Sequence, residues 1–268
     1  MKRLLMLLGF LMVAFVVTGV ASASLYQYSG FDFAAGSDLG GQGDWEIVSD
    51  KPSRTISAGD LAPDTWTGFV SSGNHVGPDA KGPTNGLTVP SAASNLWAKD
   101  GTGGTIYVSA VVKGNNNLGL KSGNGQLLNM QFDGGGMSAY AQYNNGDGSG
   151  ESQKPLGTSG GAAKLWVWKI EHDGGDGPDT MSAFVSNDPN LDLSVEPAFT
   201  GLNDKQQNHD TAMTWRADIA NGGNPSSIDE LRIATSWEAV VRGVPEPTTF
   251  ILTSLAGVFL FTLRRRLR

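Results

Sequence analysis

The densest run of side chains able to do chemistry is Glu171-His172-Asp173-Gly174-Gly175-Asp176-Gly177-Pro178-Asp179. Two carboxylates held on one face, about 5–5.5 Å apart, can cleave a glycosidic bond with retention. Here Gly174 and Gly175 break the strand, so the alternation is lost before the second carboxylate, Asp176, is placed. The run therefore reads as a hairpin loop and not as a catalytic pair. Asp173, Asp176 and Asp179 recur every third residue among glycines. Such a loop can wrap a hard cation, and Ca²⁺ takes about 6–8 oxygen ligands. The spacing is not that of an EF-hand, and a solvated turn explains the same residues. Ca²⁺ on these three aspartates is the one candidate ion, and no other cofactor is expected. Asp147, in a similar glycine-rich turn, is a weaker candidate still.

The other chemistry-bearing types are scattered. His75, His172 and His209 form no paired-ligand spacing, and the chain has no cysteine, so no zinc site is readable. A Gly-x-Ser-x-Gly elbow and a phosphate-binding loop are both absent. Seven tryptophans could offer rings to sugars. Trp166 and Trp168 lie in an apolar strand and read as core. Trp66 and Trp97 adjoin loop-rich sequence and are the best platform candidates. The chain reads as a non-enzyme.

The elements that carry these residues are short and β-forming. Glycine fills 37 of 268 positions, about twice the usual share, and clusters between apolar segments as turn chemistry. Residues 106–113 alternate, with Ile106, Val108, Ala110 and Val112 on one face. Residues 127–132 and 137–143 flank Asp133-Gly134-Gly135-Gly136 as a hairpin. Residues 165–170 are apolar on both faces, which marks a central strand, and residues 181–185 pair with it. In residues 228–234, Leu231 and Ile233 take one face, Glu230 and Arg232 the other. No body segment holds a helical period over three turns; residues 92–98 come nearest. Many short strands with glycine-rich turns indicate a sandwich or barrel. About a dozen strands at this length favour a two-sheet jelly roll.

The two ends carry addresses. Lys2 and Arg3, an apolar core over 4–17 and Ala21-Ser22-Ala23 have the layout of a signal peptide cut after Ala23. At the other end, Val244-Pro245-Glu246-Pro247 precedes an apolar run over 250–263, then Arg264, Arg265, Arg266 and Arg268. Fourteen helical residues span about 21 Å, against roughly 30 Å of hydrocarbon, so the run suits a temporary stay. The arginines orient that end to the cytoplasm. This three-part order resembles the PEP-CTERM sorting signal. The resemblance implies recognition by the membrane protease-transpeptidase exosortase and processing near Pro245-Glu246-Pro247. It also implies release from the inner membrane to the surface or matrix of a Gram-negative type cell with an extracellular polysaccharide. The missing Leu-Pro-x-Thr-Gly disfavours a wall sortase, and the missing cysteine excludes a lipoprotein anchor.

Between the ends, residues 24–243 hold 13 basic and 25 acidic residues, a net charge of −12. Such a body repels phosphate backbones, which excludes nucleic acid as a natural partner. Tyr28-Ser29-Gly30-Phe31-Asp32-Phe33, followed by Leu39-Gly40-Gly41-Gln42 and Trp45, resembles the opening of laminin-G/concanavalin A-like domains of exported bacterial proteins. Ser186-Asn187-Asp188-Pro189 and Glu196-Pro197 resemble their middle, and residues 228–237, through Trp237, their closing strand. The stretch Gly41-Gln42-Gly43-Asp44-Trp45 is shorter than that family's usual glycine run. The resemblance implies an all-β, two-sheet jelly-roll sandwich that binds glycan or protein. The expected organisation is a signal helix over 1–23, the sandwich over 24–243, and a sorting signal with one transmembrane helix over 244–268. The expected function is that of a lectin-like surface or matrix protein. Two alternatives remain: a polysaccharide hydrolase of the concanavalin A-like fold, and a calcium-dependent adhesin.

Overall fold

A computed structural model describes residues 25–47, 54–71, 73–79, 84–88, 103–122, 125–132, 138–143, 152–158, 162–172, 180–201 and 215–243. Thirteen strands occur among them: β1 (Leu25–Ser29), β2 (Trp45–Ile47), β3 (Ile56–Ser57), β4 (His75–Asp79), β5 (Thr84–Thr88), β6 (Gly104–Ser122), β7 (Gly125–Phe132), β8 (Ser138–Tyr143), β9 (Ser152–Thr158), β10 (Lys164–His172), β11 (Thr180–Ser186), β12 (Thr200–Gly201) and β13 (Trp215–Ala234). A helix, α1 (Trp237–Arg242), follows β13. The strands lie in the unit Leu25–Val244.

Two long strands organise the whole. The first half of β6 pairs with β10, and the second half with β7. Antiparallel β13 runs beside both halves, with its register interrupted between Asn221 and Ser226 and again between Asp229 and Arg232. Two runs of strands thus share β6 and β13. One is β12-β11-β10-β6-β13-β4-β3, with β1 also on β13. The other is β9-β8-β7-β6-β13-β5-β2. All strand ladders among the described residues are antiparallel.

The expected centre of the sheet is found. β10 lies between β11 and β6, with Trp166 and Trp168 opposite Ala110 and Val108. Both its faces are buried, from Leu165 through Trp168. The expected pairing of residues 181–185 with β10, and the hairpin of β7 with β8, are also present. Tyr107, Val111, Leu165 and Val167 join Trp66, Leu193, Trp237, Val240 and Val241 in one core cluster.

The chain end of this unit differs from expectation. Residues 228–237 resemble a closing strand, yet the strand stops at Ala234 and Trp237 opens α1. Ser236 Oγ accepts the Ala239 N–H, and Gly243, at φ 66°, ends the helix by donating its N–H to Ala239 O. An N-cap serine and a left-handed glycine, with six helical residues between them, outweigh the β propensity of Trp and Val here. Among the described residues no helix is long and apolar enough to cross a membrane; the expected span over 250–263 lies outside them.

Candidate functional site

One cluster of titratable groups reaches solvent beside the core. β10 presents Lys169 directly opposite Tyr107 of β6. Glu171, two residues on, shares the face of Lys169 by strand alternation. The segment after β11 brings Glu196 and Phe199 to the same place. Lys169 Nζ lies 3.1 Å from Glu196 Oε1 and 3.4 Å from Glu171 Oε1. The Tyr107 hydroxyl donates to Glu196 Oε1 at 3.0 Å. The ammonium also sits 5.8 Å from the Tyr107 ring centre and 5.9 Å from that of Phe199. Phe199 meets Trp237 edge-on at 6.1 Å, which ties the patch to the core.

The electrostatics of this patch oppose catalysis. Burial, then the hydrogen bond and charge of Glu196, push the Tyr107 phenol up to about 12. Burial pulls the Lys169 ammonium down, but Glu196, Tyr107 and Glu171 outweigh it and the net shift is upward. Both groups keep their protons at neutral pH, so neither serves as a base or nucleophile. The two carboxylates share one cation, whereas acid catalysis at a glycosidic bond needs one carboxyl in surroundings that favour its neutral form. What the patch can do is accept hydrogen bonds: Glu196 and Glu171 are 35% and 48% exposed.

A second cluster is buried at the bulge of β13. Asp229, Glu230 and Arg232 are at most 1% exposed. Glu230 takes φ 54°, unusual for a residue with a side chain. Arg232 Nη2 pairs with Glu230 Oε2 at 2.5 Å and donates to Val70 O, while Nη1 donates to Val240 O and Val241 O. Its guanidinium lies between the Tyr28 and Phe69 rings, at 5.3 and 4.6 Å. Burial pushes the Asp229 carboxyl up to about 9; the Leu61 N–H opposes this, while Glu230 and Asp60 add to it. Sequence reading assigned Glu230 and Arg232 to a polar face. That face is buried, and Glu230 and Arg232 pair with each other within it.

Trp66 requires a correction. It is 4% exposed, its Nε1–H donates to Asp188 O at 2.8 Å, and it packs edge-on against Phe69. It is a core residue and offers no ring to a sugar. Trp45 and Trp237 are likewise buried, with their indole N–H groups bonded to Ser29 Oγ and Leu193 O. The 186–197 segment caps two of these indoles and supplies Glu196 to the patch. Glu171 lies at the exposed end of β10. Trp97, Asp147, Asp173, Asp176 and Asp179 lie outside the described residues, as do Ala21, Ala23, Val244, Pro245, Glu246, Pro247 and the four tail arginines. Among the described residues no group of three His, Asp or Glu could hold a metal ion. Lys169, Tyr107 and Glu196 escaped sequence reading because they meet only through sheet register and a long loop.

No protein-family model matches the chain. No curated protein matches it either. Solved structures do. The globular domain of T. cruzi calreticulin superposes with a TM-score of 0.50 at 12% identity, covering 91% of this chain and all of that one. The chain shares that domain's fold. Two further matches are a carbohydrate esterase of the Shiga toxin-encoding bacteriophage phi24B (TM-score 0.46, 12% identity, 80% and 99% covered) and peanut lectin (0.45, 10%, 81% and 98%).

Proposed function

We propose that this is an exported, non-enzymatic surface or matrix protein. Its body is a concanavalin A-like jelly roll that binds glycan, delivered through its C-terminal signal. The observation that carries the reading is the order of the last parts: Val244-Pro245-Glu246-Pro247, an apolar run and four arginines. Also in its favour, α1 is closed by Gly243, the residue before that motif. Exosortase is the processing partner, the inner membrane a transient anchor, and an extracellular polysaccharide the retaining ligand. The Lys169 patch supports binding over turnover, since its charges are already paired and its carboxylates accept hydroxyl hydrogen bonds. Replacing the four tail arginines with glutamate should block processing in the cell; unchanged processing counts against the sorting reading. For the glycan, the secreted protein is applied to a glycan array with and without Ca²⁺. Binding that weakens in Glu171→Gln/Glu196→Gln supports the patch, and no bound glycan removes it.

A further inference from the structure

The end of α1 is tied down from three other parts of the fold. The last four carbonyls of a helix have no partner within it. Here Val240 O accepts the Ser109 hydroxyl of β6 at 3.1 Å and Arg232 Nη1 of β13 at 3.2 Å. Val241 O also accepts Arg232 Nη1, and it takes the Val70 N–H at 3.1 Å. Ala239 O takes the Gly243 N–H at 2.9 Å, and Gly243, at φ 66°, turns the chain out of the helix. Trp237, Ala239, Val240 and Val241 are buried. The chain is thus held as far as Gly243, and Val244-Pro245-Glu246-Pro247 begins at the next residue.

Val244 alone separates the helix cap from Pro245, and one residue reaches at most about 3.5 Å. Proteases cut where the chain is exposed and free of hydrogen-bonded structure. The motif therefore starts too close to a locked helix to be gripped on both sides. Resting on the sorting reading, we propose that α1 gates processing. Its last turn leaves Ser109, Arg232 and Val70 before the enzyme takes the motif. When opening and closing are fast beside cutting, the rate follows the population of the open form. The bonds to Val240 O and Val241 O then set how long the precursor stays at the inner membrane. An enzyme that instead docked on the closed end would need α1 in place, and loosening the helix would slow it.

The test is a pulse-chase of the full chain in its own cell, following conversion of precursor to processed form. Inserting Gly-Ser-Gly-Ser-Gly-Ser between Gly243 and Val244 frees the motif while α1 stays closed, and should speed conversion more than tenfold. Ser109→Ala takes one bond from Val240 O at a site remote in sequence from the motif. It should speed conversion about fivefold, the worth of one hydrogen bond, and add nothing once the linker is present. Ser29→Ala takes the buried acceptor of the Trp45 indole, away from the carbonyls of α1, and should leave the rate alone. Unchanged or slower conversion in the linker variant or in Ser109→Ala overturns the gate. Equal acceleration by Ser29→Ala overturns it too. Replacing the four tail arginines with glutamate separates the two readings. Conversion indifferent to the arginines removes the sorting reading and the gate with it. Conversion that needs the arginines but ignores the linker removes the gate alone.

Discussion

Removing Arg232 should unlock the end of the domain. Arg232→Met keeps the aliphatic bulk between Tyr28 and Phe69 but deletes the charge. It takes the Arg232 guanidinium away from Glu230 at 0% exposure, and from the carbonyls of Val70, Val240 and Val241 that it now serves. Breaking a buried ion pair by removing one partner is destabilising by about 3–5 kcal/mol. For a body of this size each kcal/mol lowers the melting temperature by roughly 2–4 °C, so the variant should melt about 6–20 °C lower. Thermal unfolding followed by circular dichroism at pH 7 measures this. Arg232→Met/Glu230→Gln, which also removes the stranded charge, should recover a measurable part of the loss through the coupling between the two groups. As a control, Arg242→Ala loses only an exposed i,i+4 pair with Glu238, worth about 0.3–0.5 kcal/mol. A loss under about 1 kcal/mol in Arg232→Met, or a double variant no more stable than the single, refutes the role given to this pair.

The Asp229 carboxyl titrates near 9 when folded and near 3.8 when not. Over that window only the unfolded form has lost the proton, so stability falls as pH rises. Between pH 5 and 8 the difference is about 4 kcal/mol at about 1.4 kcal/mol per unit; urea titrations of wild type and Asp229→Asn should diverge by that amount. Gly243→Ala should cost about 1 kcal/mol, because φ 66° disfavours a side chain and its Cβ would lie 3.3 Å from the Arg232 guanidinium. Tyr107→Phe, read by the same melts, should lose about 1 kcal/mol with its hydrogen bond to Glu196. Purified protein should show no β-glucan turnover; turnover abolished by Glu171→Gln would establish the hydrolase alternative instead.

Much of the fold was legible because strands announce themselves by period. Both faces of β10 are apolar in sequence and buried in the structure. The alternation of β6 placed Ile106, Val108, Ala110 and Val112 together, as found. α1 was missed because six residues are too few for a helical period, although Ser236, Glu238, Arg242 and Gly243 are cap signals that a search for helix ends would have found. The reversal at Glu230 and Arg232 was illegible: a charged residue in alternation reads as solvent-facing, and only tertiary pairing makes the face a buried one. Trp66 misled for a related reason. Its neighbours are loop-forming, but that loop packs Ala62 and Trp66 into the core. The Lys169 patch needed the register of β10 on β6, which no local pattern encodes.

Intact mass of the protein recovered from the outside of the cell tests whether the body is released from a passing anchor. A mass that begins after Ala23 and lacks residues 250–268 is expected. A mature species that still carries the apolar run and its four arginines contradicts it.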